Sequence, residues 1–316
     1  MLYFSDIVLI RSGGVTVQKL IMFALVGVAA QLVDGSLGMA YGVTSTTLLL
    51  MIGTNPAMAS AMVQLAQLGT TAASGIAHHS FGNVDWRVVR TIALPGAIGA
   101  FVGATLLVNM PVDLAKVVMS VLLLGLGSYL LVRFTVKGFD SSRLGQPVGR
   151  RFLVPLGGVA GFVDATAGGG WGPIGTPALL ANGRMEPRKV IGSVSTSEFV
   201  VTLAASAGFL AALGFAGIQW QIVVGLLVGG VIVAPFAAML VKVIPARMLG
   251  SLVGGLIVLT NTRTLVNADL VTVPGGVAIG LYVAIAAVWA VAVSHSWRAH
   301  RAETDGLAEP RERVAA

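Results

Sequence analysis

Apolar residues run along most of this chain in blocks, and the block lengths fall into two classes. The stretches 57 to 79, 87 to 109, 114 to 135, 190 to 214, 219 to 241 and 273 to 295 are each long enough for a helix of about 20 residues, which crosses about 30 Å of hydrocarbon. The run 246 to 262 is marginal in length and takes the same reading. Four others, 20 to 33, 39 to 52, 152 to 164 and 171 to 182, hold only about 12 to 14 residues and reach roughly 18 to 21 Å as helices. These short runs come in pairs, each split by a polar, glycine-rich break: VDGSLGMAYG at 33 to 42 and VDATAGGGWG at 163 to 172. The second break repeats the first after 130 residues. Irregular backbone at membrane depth is tolerated where it is buried in protein or lines a cavity, so each pair predicts a hairpin of two half-helices that enters and leaves on one side.

The charged positions orient this arrangement. With 137 to 151 placed in the cytoplasm and each hairpin counted as no net crossing, Arg11, Lys19, Lys116 and Arg263 alone of the 20 Lys and Arg fall outside. That asymmetry follows the positive-inside rule and puts residues 1 to 15 outside. Each half is then a re-entrant hairpin followed by three crossings. An odd number of crossings turns the second half upside down relative to the first. The predicted fold class is an all-α polytopic membrane protein of two inverted repeats, with one extra C-terminal helix. It forms a single transport domain over 1 to 316: first repeat 20 to 136, cytoplasmic linker 137 to 151, second repeat 152 to 262, final transmembrane helix 273 to 295, and cytoplasmic tail 296 to 316. Inverted repeats with broken helices meeting at the midplane are the architecture of secondary transporters.

Composition agrees. Of 316 residues, 56% are hydrophobic and 10% charged, against about 25% charged in a soluble domain. The 41 Gly suit close helix packing in lipid. The absence of Cys excludes a disulfide frame and a thiolate metal site, and nothing calls for a cofactor. The net charge of +7 is distributed between apolar runs rather than on one face, which points to membrane topology and not to nucleic acid. Lys19 and the apolar run after it resemble a secretory leader, but Gly27, Val33 and Asp34 pair with Gly157, Val163 and Asp164, so the segment belongs to the folded core.

The second half carries Gly168-Gly169-Gly170-Trp171-Gly172, then Pro177-Ala178-Leu179, Pro187 and Gly192-Ser193. The first half departs from that pattern with Gly38-Met39-Ala40-Tyr41-Gly42 and Thr44-Ser45-Thr46-Thr47, and keeps Asn55-Pro56. Over about residues 20 to 295 this double repeat resembles the sulfite exporter TauE/SafE family of anion transporters. The resemblance implies a cargo of sulfite, a sulfonate or a related sulfur oxyanion.

An oxyanion site follows from the breaks themselves. The second half-helix of each pair begins at the break, so its first N–H groups and positive dipole end face inward. Gly38, Gly42, Gly168, Gly169, Gly170 and Gly172 let backbone approach an anion. Thr44, Ser45, Thr46, Thr166 and Thr176 add neutral donors, and Tyr41 with Trp171 either walls the site or packs the hairpins together. Asp34, Asp164 and Glu198 are the acids at membrane depth, where carboxylates mark ion or proton pathways. The rival reading of the two Asp is that each caps the adjoining half-helix. Pro56 and Pro187 align the next helices at an interval of 131, which sets Gln67 opposite Glu198 and Gln64 opposite Ser195, one turn apart on one face. These residues are the expected cavity lining and coupling site for a proton or cation co-substrate. His78 and His79 end their helix at the cytoplasmic surface, and Trp86, Trp220 and Trp297 read as interfacial anchors. An anion channel and a membrane scaffold are the alternatives that flux measurements separate from a carrier. An intramembrane aspartyl protease is disfavoured because VDG and VDA lack the Gly-x-Gly-Asp arrangement of that class.

Overall fold

The computed structural model describes residues 17–37, 39–136, 146–182, 184–240, 246–268 and 273–308. Residues 1 to 16, Gly38, most of the predicted linker and the end of the tail lie outside the described residues. Those described are helical, without strand: α1 (Val17–Leu37), α2 (Tyr41–Met51), α3 (Pro56–Ser80), α4 (Trp86–Val108), α5 (Val112–Val136), α6 (Arg150–Ala167), α7 (Trp171–Asn182), α8 (Pro187–Leu213), α9 (Trp220–Leu240), α10 (Ala246–Val266) and α11 (Gly275–Ala308). By length and composition, Trp86–Val108, Val112–Thr135, Arg188–Leu213 and Gly275–Ala299 are able to cross a bilayer.

Local sequence explains most boundaries. Asn55 caps α3, its side chain accepting from the backbone N–H of Ala57 at 3.0 Å and Met58 at 3.4 Å, with Pro56 at the first turn. Asp85 caps α4 in the same way through Arg87 and Val88. The short second members α2 and α7 hold 11 and 12 residues, as their apolar runs predict. Their first members differ from expectation: α1 has 21 residues and α6 has 18. The apolar run underestimates both because the helices continue through polar ends. α1 starts before Lys19 and passes Asp34, and α6 starts at Arg150-Arg151 and passes Asp164.

Packing pairs elements from the two parts of the chain. α1 lies on α9 and α4 on α6, α3 crosses α8, α5 crosses α10, and α4 and α3 lie beside α8 and α9 respectively. Renaming α1 to α5 as α6 to α10, and the reverse, maps these contacts onto themselves. Glycine permits the closest crossings. A methyl on Gly161 would meet the Gly96 backbone of α4, and one on Gly229 would meet the Ala24 backbone of α1.

The loops gather at two ends. At one, which we term the basic end, Arg184 Nη1 donates to the Pro147 carbonyl at 3.0 Å, and Lys189 Nζ donates to the carbonyls of Gly82 at 2.8 Å and Val84 at 3.3 Å. The α6–α7 hairpin therefore leaves from and returns to this end. At the far end, the last residues of α2 face the start of α5 and the end of α10 around one cleft. α11 sits at the margin, held by a 2.7 Å contact between the hydroxyls of Ser251 and Ser296 and by Trp289 Nε1 donating to the Ser251 carbonyl at 3.1 Å. Most of its surface is uncovered, as suits a helix facing lipid.

Candidate functional site

The two breaks meet. A methyl on Gly42 would fall 2.7 Å from both the Gly168 carbonyl oxygen and the Gly169 Cα, and one on Gly169 would strike Gly42 and Val43. Thr46 Oγ1 seals the junction by donating to the Gly168 carbonyl at 2.8 Å. Here glycine serves the approach of backbone to backbone. Gly168 also closes α6 at φ 69°, in the left-handed region that glycine enters without penalty. Gly172 lies against Met39, and Gly170 against Val163 and Asp164. Gly38 is outside the described residues.

The N–H groups that open the short helices, Gly170 and Trp171 for α7 and Tyr41 for α2, already have partners. Asp164 Oδ1 accepts from Gly170 N at 2.8 Å and Trp171 N at 3.0 Å, and its Oδ2 accepts from Gln64 Nε2 at 2.8 Å. Asp34 Oδ1 accepts from Tyr41 N at 3.1 Å. Each Asp thus caps the helix that follows its break. The aromatic pair is anchored as well. The Tyr41 hydroxyl donates to the Leu226 carbonyl and Trp171 Nε1 to the Val194 carbonyl, both at 3.0 Å, and both side chains are buried.

What remains unpartnered is more specific. Thr44, Thr46, Ser45 and Thr176 are all buried, and the hydroxyls of Thr44, Ser45 and Thr176 have no hydrogen-bond partner. A buried hydroxyl without a partner costs about 1–3 kcal/mol, so these groups are able to take a ligand or water. The acceptor oxygens of Gln64 and Gln67 are likewise buried and unsatisfied. Gln67 Nε2 donates to Glu198 Oε1 at 3.4 Å, so residues 131 positions apart bond to each other where α3 crosses α8. Glu198 is half-buried and lies within electrostatic reach of both Asp164 and Asp34. Ser195 is half-buried on the same helix, while the Thr166 hydroxyl turns back to its own helix at Phe162.

Several contacts have no counterpart in the sequence reading. Ser60 donates to the Ala165 carbonyl at 2.6 Å, tying α3 to the end of α6. Asn261 is a buried amide in α10 whose Nδ2 lies 3.5 Å from the Thr47 hydroxyl of α2. Asn261 could have been found as a carboxamide inside an apolar run; Ser60 could not, because a lone Ser in a membrane helix carries no signal. At the basic end, the Ser193 hydroxyl accepts from Asp85 N at 2.8 Å, beside the Lys189 contacts. Together they join α8 to the α3–α4 turn. The positions 131 residues earlier, Met58 and Met62, have no such polar reach.

The family model described as sulfite exporter TauE/SafE matches residues 23–264. The chain is also 50% identical over 277 residues to a Bacillus subtilis (strain 168) protein described as a probable membrane transporter protein, YtnM, covering 87% of this chain and 92% of that protein. No solved structure matches.

Proposed function

Because the chain belongs to the sulfite exporter TauE/SafE family and is a multi-pass membrane transporter rather than an enzyme, we propose that it moves sulfite, a sulfonate or a related sulfur oxyanion across the plasma membrane by alternating access. The observation that carries the reading is the pair of buried, unpartnered hydroxyls, Thr44 and Thr176, beside two breaks that meet backbone to backbone. Neutral donors suit a transported anion, since they bind it without the grip of a buried guanidinium and let it leave. The two Asp hold the breaks in shape, and Glu198, shared with Gln67 across the α3–α8 crossing, is the group for proton or cation coupling.

Residues 20 to 136 and 152 to 262 form inverted halves in this proposal, with 137 to 151 and the tail after 296 in the cytoplasm. The interchange of helix contacts between halves supports it, as does the bond between Gln67 and Glu198, equivalent positions that a pseudo-two-fold axis between α3 and α8 would bring together. The Lys189 and Ser193 contacts fasten α8 to the α3–α4 turn at the basic end.

The test is purified protein in liposomes, with uptake of sulfite, sulfate, thiosulfate and small sulfonates compared with and without a pH gradient. Saturable uptake of a sulfur oxyanion that responds to the gradient is expected. Non-saturating conductance would make the protein a channel, and no flux of any of the four would refute the reading.

A further inference from the structure

The cleft at the far end is separate from the breaks and has a volume of about 470 Å³. Its polar wall is one face of α10 and the first residue of the turn after it. Thr260, Arg263, Thr264 and Asn267 follow at intervals of three and four residues and all line it. Facing them at the start of α5 is Lys116, whose contact with Asp113 is a 3.4 Å pair open to solvent. Leu50 and Met51, at the end of α2, complete the lining.

A second cleft lies at the basic end, where Arg184 and Lys189 donate to backbone carbonyls and the carboxylates of Asp85 and Glu186 line the same opening as Arg87. At the far end Arg263 is exposed, and its guanidinium makes no hydrogen bond or ion pair among the described residues. With Lys116 and Asp113 counted, the cleft carries a net positive charge, with hydroxyl and amide groups on the same wall. The end of the molecule poorest in cations thus concentrates Lys116 and Arg263 around one opening. A polar step leads inward from it: Thr47 and Asn261, both buried, stand 3.5 Å apart between the cleft and Thr44.

We infer that this cleft is a second, outer anion site: a vestibule that collects oxyanions of one or two negative charges at low affinity and hands them to, or receives them from, the break region. Its place in a transport cycle rests on the transporter reading given above; its existence as an anion site rests on its own charges. A cation about 6–8 Å from a monovalent anion in water-like surroundings raises the local anion concentration about two- to threefold, and a divalent anion gains the square of that factor. The effect fades with added salt.

The chain has no Cys, so a single one reports cleanly. Asn267→Cys places a thiol one turn from Arg263, and its reaction rates with an anionic and a cationic methanethiosulfonate reagent are compared at low ionic strength. Those reagents differ by two charges, so Arg263→Gln in the same background is expected to lower the anionic-to-cationic rate ratio about fivefold. Arg263→Lys is expected to preserve the ratio, and 0.5 M chloride to compress it. Millimolar sulfate is expected to slow modification by a neutral maleimide in the Asn267→Cys protein and to lose that effect in Arg263→Gln. A ratio indifferent to Arg263→Gln, or no protection by sulfate, would overturn the anion site whether or not the protein transports. In liposomes, Arg263→Gln is expected to raise KM about threefold for substrate offered from the cleft side, with Vmax unchanged. Protection by sulfate with an unchanged KM would overturn the vestibule role and leave an anion site unconnected to transport. Absence of flux in the parent protein would strike the transporter reading, while the thiol rates would still decide the site.

Discussion

The two break carboxylates make unequal contacts, and this inequality sets a quantitative expectation. Asp164 accepts from two backbone N–H groups and from Gln64, whereas Asp34 accepts from one N–H. Asp164→Ala strands the amides of Gly170 and Trp171 in a fully buried junction. Each stranded buried donor costs about 1–3 kcal/mol, so the loss is about 2–6 kcal/mol, against about 1–3 kcal/mol for Asp34→Ala. Gln64 adds little to the difference because its amide also reaches the Asp164 main-chain carbonyl at 3.2 Å. Asp164→Asn keeps an acceptor for both amides. Its new Nδ2 can donate to the unsatisfied Gln64 Oε1 after an amide flip, so it should fall much closer to the parent. The assay is thermal unfolding of detergent-purified protein, followed by loss of the monodisperse chromatographic peak at a fixed heating rate, since such unfolding is irreversible and rate-dependent. The expected order of apparent Tm is parent, Asp164→Asn, Asp34→Ala, Asp164→Ala. Equal losses for the two Ala variants, or an unshifted Asp164→Ala, would refute the capping argument and return the N–H groups of α7 to the substrate.

Ala40 holds φ 114°, a region that suits glycine, so Ala40→Gly should stabilise by about 1 kcal/mol and raise Tm, and Ala40→Val should lower it. Glu198→Gln keeps the shape and an acceptor for Gln67; the protein should fold normally while uptake loses its dependence on pH, and an unaltered pH profile would remove Glu198 from coupling. Lys189→Met removes both hydrogen bonds from its ammonium to the α3–α4 turn, so a Cys introduced near Asn83 should react faster from that side; an unchanged rate would show that the contacts do not gate access.

Much of the architecture was legible from run lengths. The short runs after each break are the short helices α2 and α7, and the long runs are helices within a few residues at either end, except the last, where α11 continues past 295 to Ala308 through the start of the predicted tail. The lengths of α1 and α6 were not, because hydropathy registers the buried span of a helix and not its polar turns. Within the site, the position of the duplicated Asp at the last turn before each break offered capping as one of two readings, and the bonds to Tyr41, Gly170 and Trp171 are those of caps. The glycines were the misleading signal. A cluster of Gly reads equally as room for a ligand or room for another backbone, and only the position of the opposite break decides; at Gly42, Gly168 and Gly169 the neighbour is protein. The hydroxyls behave in the reverse way. Thr46 and Thr176 occupy equivalent positions, yet one is consumed by a carbonyl and the other is unpartnered. The asymmetry arises from contacts between the halves, which no local pattern encodes.

The central claim is that the substrate is taken up where the breaks meet, by hydroxyls that have no partner in this conformation. It is tested most directly by the concentration dependence of sulfite uptake into liposomes for the parent, Thr44→Val and Thr176→Val. Valine preserves the shape and removes the donor, so neither variant should lose thermal stability, while the lost hydrogen bond to a charged oxygen, about 1.5–3 kcal/mol, should raise KM roughly tenfold or more. Saturable parental uptake with KM raised in both variants is the predicted result. Unchanged KM in both, with parental uptake intact, would contradict the account and place the anion elsewhere.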